Sequence, residues 1–108
     1  MTGYPDKELL EEIVKRVAAV NGAMRIILFG SAAMGRMNRD SDIDLLVIQP
    51  AQGNARAESV RFREALRGLG CPIDVVVMPL DRFEATKDVI GGIAYPANKY
   101  GKVIYDAA

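Results

Sequence analysis

Apolar and polar residues alternate along this chain with spacings that predict its helices and strands. Residues 6–21 place apolar side chains at every third or fourth position, with charged residues between them, which is the pattern of an amphipathic helix. A second, weaker helical pattern covers residues 55–69, with Val60, Ala65, Leu66 and Leu69 as its apolar stripe. Three apolar runs rich in strand-forming residues predict strands at 24–29, 43–48 and 73–78.

The C-terminal third is expected to form one long helix and a final strand. Residues 80–95 keep a helical pattern, although Gly91-Gly92 weakens its middle, and Pro96 is expected to end it. The side chains expected to face inward are Phe83, Val89, Ile90 and Ile93. Residues 102–105 complete an alternation of helices and strands that predicts an α/β (α+β) fold, a sheet backed by helices.

The strand at 73–78 differs from the others because it is almost entirely Val and Ile. A strand with so few polar positions is typical of a central strand that is covered on both faces. We therefore expect it inside the sheet. With 108 residues, the chain is expected to form a single domain, residues 1–108.

Composition and charge narrow the possible functions. The formal net charge is zero and the pI is about 6.2, which argues against non-specific binding to nucleic acid or to an anionic membrane. The N-terminal residues lack an apolar signal core, and the single Cys71 fits a reducing compartment, so we expect a cytoplasmic protein. The chain has no histidine, which excludes imidazole-based catalysis and histidine-bound zinc.

Two aspartates, Asp42 and Asp44, stand at the head of the second predicted strand. Successive side chains of a strand alternate between faces, so both carboxylates are expected on one face, with Cα atoms roughly 7 Å apart. Their mutual repulsion is relieved if a divalent cation binds, and Mg²⁺ suits carboxylate ligands. An equally simple interpretation is that Asp42 caps the strand while Asp44 pairs with a distant arginine.

A third carboxylate favours the metal-site interpretation. Asp74 lies near the start of the Val- and Ile-rich strand, where a charge is costly unless it is paired, bound to a metal or placed at the sheet edge. If this strand lies beside the second one, Asp74 joins Asp42 and Asp44. Three carboxylates can hold two metal ions about 3.5–4 Å apart, an arrangement that serves phosphoryl transfer.

A Gly-Ser turn, Gly30-Ser31, follows the first predicted strand. Glycine allows a tight turn and close approach of a ligand, and the short helical turn predicted at 31–34 would present free N–H groups to an anion. Ser31 can cap this turn or donate to a phosphate oxygen. Taken alone, however, the pattern is also typical of an ordinary turn.

Together these motifs resemble the signature of the DNA polymerase β-like nucleotidyltransferase superfamily. Gly30-Ser31 is followed after ten residues by Asp42-Ile43-Asp44-Leu45, and Asp74 lies in a later strand. The length of the chain and its ending at residues 101–105 resemble the minimal nucleotidyltransferase (MNT) domains. The resemblance implies the nucleotidyltransferase fold, a small mixed sheet of three or four strands with the first two motif strands adjacent.

The resemblance also implies a reaction and its site residues. Asp42 and Asp44 would hold two Mg²⁺ ions, and Asp74 would complete the metal site and help to deprotonate the attacking hydroxyl. Gly30 and Ser31 would hold the β- and γ-phosphates of ATP or another nucleoside triphosphate. A nucleoside monophosphate would pass to a hydroxyl group, with release of pyrophosphate.

Many MNT domains resemble antitoxins encoded beside HEPN ribonuclease toxins, and those antitoxins can attach AMP to a tyrosine of the toxin and silence it. The resemblance thus implies an antitoxin that forms a hetero-oligomer with a HEPN toxin. Two alternatives stay open: an antitoxin that acts by binding alone, and a nucleotidyltransferase for a small hydroxylated molecule. The sequence also departs from the family, because Ala32 and Met34 stand where relatives often carry basic residues; the nearest cations are Arg36 and Arg39.

Overall fold

The computed structural model describes residues 4–20, 22–37, 42–50 and 54–107, without the side chain of Ala55. Three predicted features lie outside the described residues: Asn21 at the end of the first helix, the turn at 38–41, which includes Arg39, and the middle of the loop at 51–53.

Helices and strands follow one another nearly as the sequence pattern predicts. The elements are α1 (Lys7–Ala19), β1 (Arg25–Phe29), a 3₁₀ turn (Gly30–Ala32), β2 (Ile43–Gln49), α2 (Ala55–Ala65), β3 (Ile73–Pro79), α3 (Leu80–Thr86), α4 (Ala94–Tyr100) and β4 (Lys102–Asp106). The strands form one mixed sheet in the order β3-β2-β1-β4. β1 is antiparallel to β2 and β4, whereas β2 and β3 are parallel. The predicted α/β fold with a small mixed sheet is confirmed.

Both faces of the sheet are covered by helices. On one face, α1 and α2 contribute Ile13, Val17, Phe62 and Leu66 to a core that includes Ile43, Leu45 and Val47 of β2. On the other face, α3 and α4 contribute Phe83, Ala94 and Ala97 to a core that includes Leu46 and Ile48 of β2. β2 is therefore apolar at consecutive positions because it is buried on both sides.

β3 is at an edge of the sheet, so the prediction of a central position is wrong. Only Val75 and Met78 of this strand are buried, and Asp74 is exposed. The apolar composition reflects the packing of α2 against β3 and the pairing with β2. A run of Val and Ile indicates a strand, but it does not fix the number of neighbouring strands.

The single helix expected over residues 80–95 is instead two helices, α3 and α4, separated by residues 87–93. Gly91 in this connection has φ +126°, which no α-helix accommodates. Val89, Ile90 and Ile93, predicted to face inward, are 57%, 80% and 40% exposed. Pro96 lies in the first turn of α4, where its missing N–H costs nothing, so it does not end a helix.

α2 is also shorter than predicted and is rotated relative to the expected stripe. It ends at Ala65 rather than at residue 69. Val60 is 50% exposed, while Phe62 and Leu66, one turn apart, are the buried residues. None of the helices formed by the described residues is long and apolar enough to cross a membrane.

Candidate functional site

Asp44 and Asp74 are direct neighbours on adjacent parallel strands. The β2–β3 register pairs Asp44 with Asp74 and Leu45 with Val75. Neighbouring strands lie about 4.8 Å apart, and paired residues point to the same face of the sheet. Since Leu45 and Val75 belong to the core under α1 and α2, both aspartates lie on the opposite face. The condition set for Asp74, that its strand lies beside the second one, is therefore met.

Asp42 precedes β2 rather than lying within it. The strand begins at Ile43, whose N–H donates to the carbonyl of Pro72 at 3.0 Å. Asp42 is exposed, whereas Asp44 is partly buried. Asp42 and Asp44 therefore differ in solvent exposure, and only Asp44 belongs to the strand.

Asp44 lies close enough to the carboxylates of Asp74 and Asp42 to be affected by their negative charge. Burial raises the pKa of the Asp44 carboxyl above its usual value, and the nearby charges of Asp74 and Asp42 raise this pKa further. Burial and like charge both disfavour the ionised form. A bound cation would relieve both effects, so this carboxylate is suited to a cationic ligand.

The carboxylate of Asp74 is held by an arginine from α2. Nη2 of Arg63 donates to Oδ1 of Asp74 at 2.7 Å and to the carbonyl of Val75 at 3.4 Å. The sequence interpretation considered a distant arginine for Asp44, but the structure places one on Asp74. Sequence reasoning missed Arg63 because nothing in the pattern of α2 separates it from the other arginines there.

The donor set fits a hard divalent cation. Carboxylate oxygens are the ligands that Mg²⁺ prefers, and the site contains neither histidine nor cysteine. As the side chains stand, no three His, Cys, Asp or Glu residues among those described are grouped closely enough to hold a metal ion. In the same arrangement the Asp74 carboxylate is engaged by Arg63.

Gly30 places the turn directly against Asp44. β1 ends at Phe29, which pairs with Asp44 across the antiparallel β1–β2 ladder. Gly30 has φ +73°, and a Cβ atom there would lie only 2.6 Å from Oδ2 of Asp44. The position thus requires glycine both for its backbone conformation and for the space that the carboxylate occupies.

The 3₁₀ turn after β1 is closed by its own backbone. The carbonyl of Gly30 accepts from the N–H of Ala33 at 3.2 Å, and the carbonyl of Ser31 accepts from the N–H of Arg36 at 2.9 Å. Ala32 is fully buried, so a basic residue at this position would have to bury its charge. Arg36, by contrast, is exposed close to the same turn.

The fold is a mixed sheet backed by helices, and its Gly-Ser turn lies against paired aspartates. This arrangement is typical of nucleotide-transferring domains. Comparison with known families agrees: residues 7–94 match the family described as "Nucleotidyltransferase domain". The match spans most of the chain, and the protein belongs to this family. None of the curated proteins compared with the chain matches it.

Solved structures with the same fold come from toxin–antitoxin systems. One is a crystal structure of a toxin–antitoxin with AMP-PNP, with 22% identity and a TM-score of 0.63. Another is a double mutant of the toxin–antitoxin MntA-HpeT, with 19% identity and a TM-score of 0.64. Each alignment covers 90% of this chain and 73% of the other. At these identities the similarity shows a shared fold.

Proposed function

We propose that the protein is a Mg²⁺-dependent adenylyltransferase that moves AMP from ATP to a hydroxyl of a partner protein in the cytoplasm. The partner we propose is a HEPN ribonuclease toxin, which the modification neutralises. The observation that carries the proposal is the pairing of Asp44 with Asp74 across two strands, beside the turn at Gly30. This arrangement gathers carboxylates where a triphosphate can approach the backbone.

Each site residue has a role in this proposal. Asp42, Asp44 and Asp74 would hold two Mg²⁺ ions, which would supply charge neutralisation for the triphosphate and polarise its α-phosphate. Gly30 and Ser31 would bind the β- and γ-phosphates through the turn. Asp74 accepts the proton of the attacking hydroxyl as the new O–P bond forms and the bond to pyrophosphate breaks.

Three findings support the proposal. The structures with the same fold belong to toxin–antitoxin systems, and one of them contains AMP-PNP. The MntA-HpeT mutant carries Asp→Glu changes at two aspartates separated by one residue, which is the spacing of Asp42 and Asp44. In addition, residues 89–93 expose three β-branched apolar side chains within five positions, a feature typical of surfaces that contact other proteins.

Labelled ATP and the candidate toxin test the proposal. With Mg²⁺ present, label from the α-phosphate of ATP is expected on the toxin, label from the γ-phosphate is not, and EDTA abolishes the transfer. Toxin that is neutralised without acquiring label would support an antitoxin acting by binding alone. Label on an added aminoglycoside but not on the toxin would support the small-molecule alternative.

A glycine substitution tests whether the turn and Asp44 act together. Gly30→Ala is expected to reduce AMP transfer by about 100-fold, because the added Cβ displaces the Asp44 carboxylate and a displacement near 1 Å costs about this factor. Gly70→Ala is the matched control, since Gly70 also has positive φ, +85°, but has open space around its Cβ position. Both variants lose roughly 1–2 kcal/mol of stability to backbone strain.

Thermal unfolding and initial transfer rates, measured on both variants, separate strain from displacement. If Gly70→Ala loses transfer as severely as Gly30→Ala, backbone strain explains the loss. The proposed coupling of the turn to Asp44 would then be wrong.

A further inference from the structure

Arg63 connects α2 to the acidic site around the edge of the sheet. Its neighbours Phe62 and Leu66 pack into the core under α1 and α2, whereas Asp74 lies on the opposite face. Because β3 is an edge strand, the arginine side chain can pass its outer side and reach Asp74 at 2.7 Å. Its second donor contact, to the carbonyl of Val75, lies along the same edge.

Both partners of this ion pair are exposed to water, so a competing ligand can reach the Asp74 carboxylate. The side chains of Arg63 and Asp74 are 50% and 54% exposed, and ion pairs so open to water are weak. Asp44, which pairs with Asp74 in the β2–β3 register, is only partly buried. The guanidinium therefore pairs with Asp74, whereas Asp44 has no ion pair among the residues that the structure describes.

We propose that Arg63 is a positioning residue that competes with divalent cations for Asp74. In the cation-free protein the guanidinium holds the third carboxylate, and a cation gains that ligand only when Arg63 releases it. Asp74 is then the last of the three carboxylates to be recruited. This inference rests on the proposed function, because it takes the three aspartates as the cation ligands.

Binding of Mn²⁺ alone, without nucleotide, tests the competition. We expect Arg63→Gln to bind Mn²⁺ roughly two- to fivefold more tightly than the unchanged protein in calorimetry, the factor expected from losing a weak competing ion pair. Arg67→Gln is the matched control: it removes the same charge four residues further along the chain, just past the end of α2, from an arginine paired with Glu64. Its Mn²⁺ affinity is expected to stay unchanged.

A double-mutant cycle assigns the effect to Asp74. In an Asp74→Asn background, Arg63→Gln is expected to leave the Mn²⁺ affinity unchanged, since the guanidinium no longer has a carboxylate to withhold. Equal tightening by Arg63→Gln and Arg67→Gln, or tightening that persists without Asp74, would contradict the proposed role. Either result would indicate a general effect of positive charge.

The failure of this inference can be distinguished from failure of the proposed function. If Asp44→Asn does not weaken Mn²⁺ binding, the three aspartates are not the cation site, and both proposals fail. If Asp44→Asn weakens binding but Arg63→Gln does not tighten it, only the competition is wrong. Thermal unfolding without Mn²⁺ should be nearly unchanged in Arg63→Gln, which excludes a general loss of structure.

Discussion

Replacing Asp44 by asparagine is expected to slow AMP transfer severely while making the folded protein more stable at neutral pH. The transfer rate should fall by about 1,000-fold, because the amide keeps the size of the side chain but removes the charge that would hold a cation. Stability should rise because burial and the charges of Asp74 and Asp42 disfavour the ionised carboxylate in the fold. Opposite changes in activity and stability are typical of a site whose charges serve a ligand.

The dependence on pH follows from the direction of the pKa shift. The Asp44 pKa is raised on folding, so the folded state binds this proton more tightly than the unfolded state does. Its contribution to stability therefore falls as pH rises from the ordinary aspartate value of 3.8 through the raised folded value. The stabilisation by Asp44→Asn should be greatest at neutral pH and should disappear below pH 3.8.

Thermal unfolding at several pH values and the labelled-ATP assay measure the two effects. Asp88→Asn is the control, because Asp88 is an exposed aspartate in the connection between α3 and α4. It should change neither the transfer rate nor the stability appreciably. Full transfer activity in Asp44→Asn would rule out the proposed role of this residue.

Gly101→Ala is expected to cause the largest loss of stability of any substitution proposed for this protein. Gly101 ends α4 in an extended conformation that any residue adopts, so its backbone alone does not require glycine. A Cβ atom there would, however, collide with the carbonyl of Ala97 and lie 2.7 Å from Cγ2 of Ile27 and 2.9 Å from the carbonyl of Leu28. Two of these neighbours are backbone atoms, which cannot rotate away.

The expected cost is about 3 kcal/mol, because overpacking a core typically costs 1–3 kcal/mol and the main chain must move here. A loss of this size lowers the Tm by about 10–20 °C. Gly92→Ala is the matched control, since its Cβ position meets nothing within 4 Å and the backbone is not left-handed. Its free energy of unfolding in urea should change by less than about 0.5 kcal/mol.

If both alanine variants unfold at the same urea concentration, the close packing of α4 against β1 does not limit this position. A loss of stability in Gly101→Ala but not in Gly92→Ala would instead show that backbone contact fixes the position of α4. This helix also packs near the 3₁₀ turn of the site.

Periodicity and motif spacing predict much of this protein from its sequence. Helix α1 and the strands β1, β2 and β3 appear within a residue or two of their expected bounds, because each is marked by a local pattern of burial. The site residues Gly30, Asp42, Asp44 and Asp74 stand out for a similar reason: small or charged residues interrupt apolar runs. The roles proposed for them remain predictions.

Other features depend on contacts between residues that the local pattern does not connect. The apolar run of β3 fixes a strand, but only packing decides that this strand is at the edge of the sheet. The helical periodicity of residues 80–95 continues through Gly91-Gly92, whereas the structure breaks there and exposes Ile90. Periodicity reports which side of an element is apolar, not whether a partner covers that side.

The sequence by itself therefore determined the class of fold, the order of most elements and the acidic residues beside the Gly-Ser turn, because these are properties of neighbouring residues and regular spacing. Only the tertiary structure decided that Asp44 and Asp74 are paired in register, that Arg63 reaches Asp74, and that Gly101 has no room for a side chain. Each of these depends on the distance between atoms on different elements, which packing sets and sequence spacing does not encode.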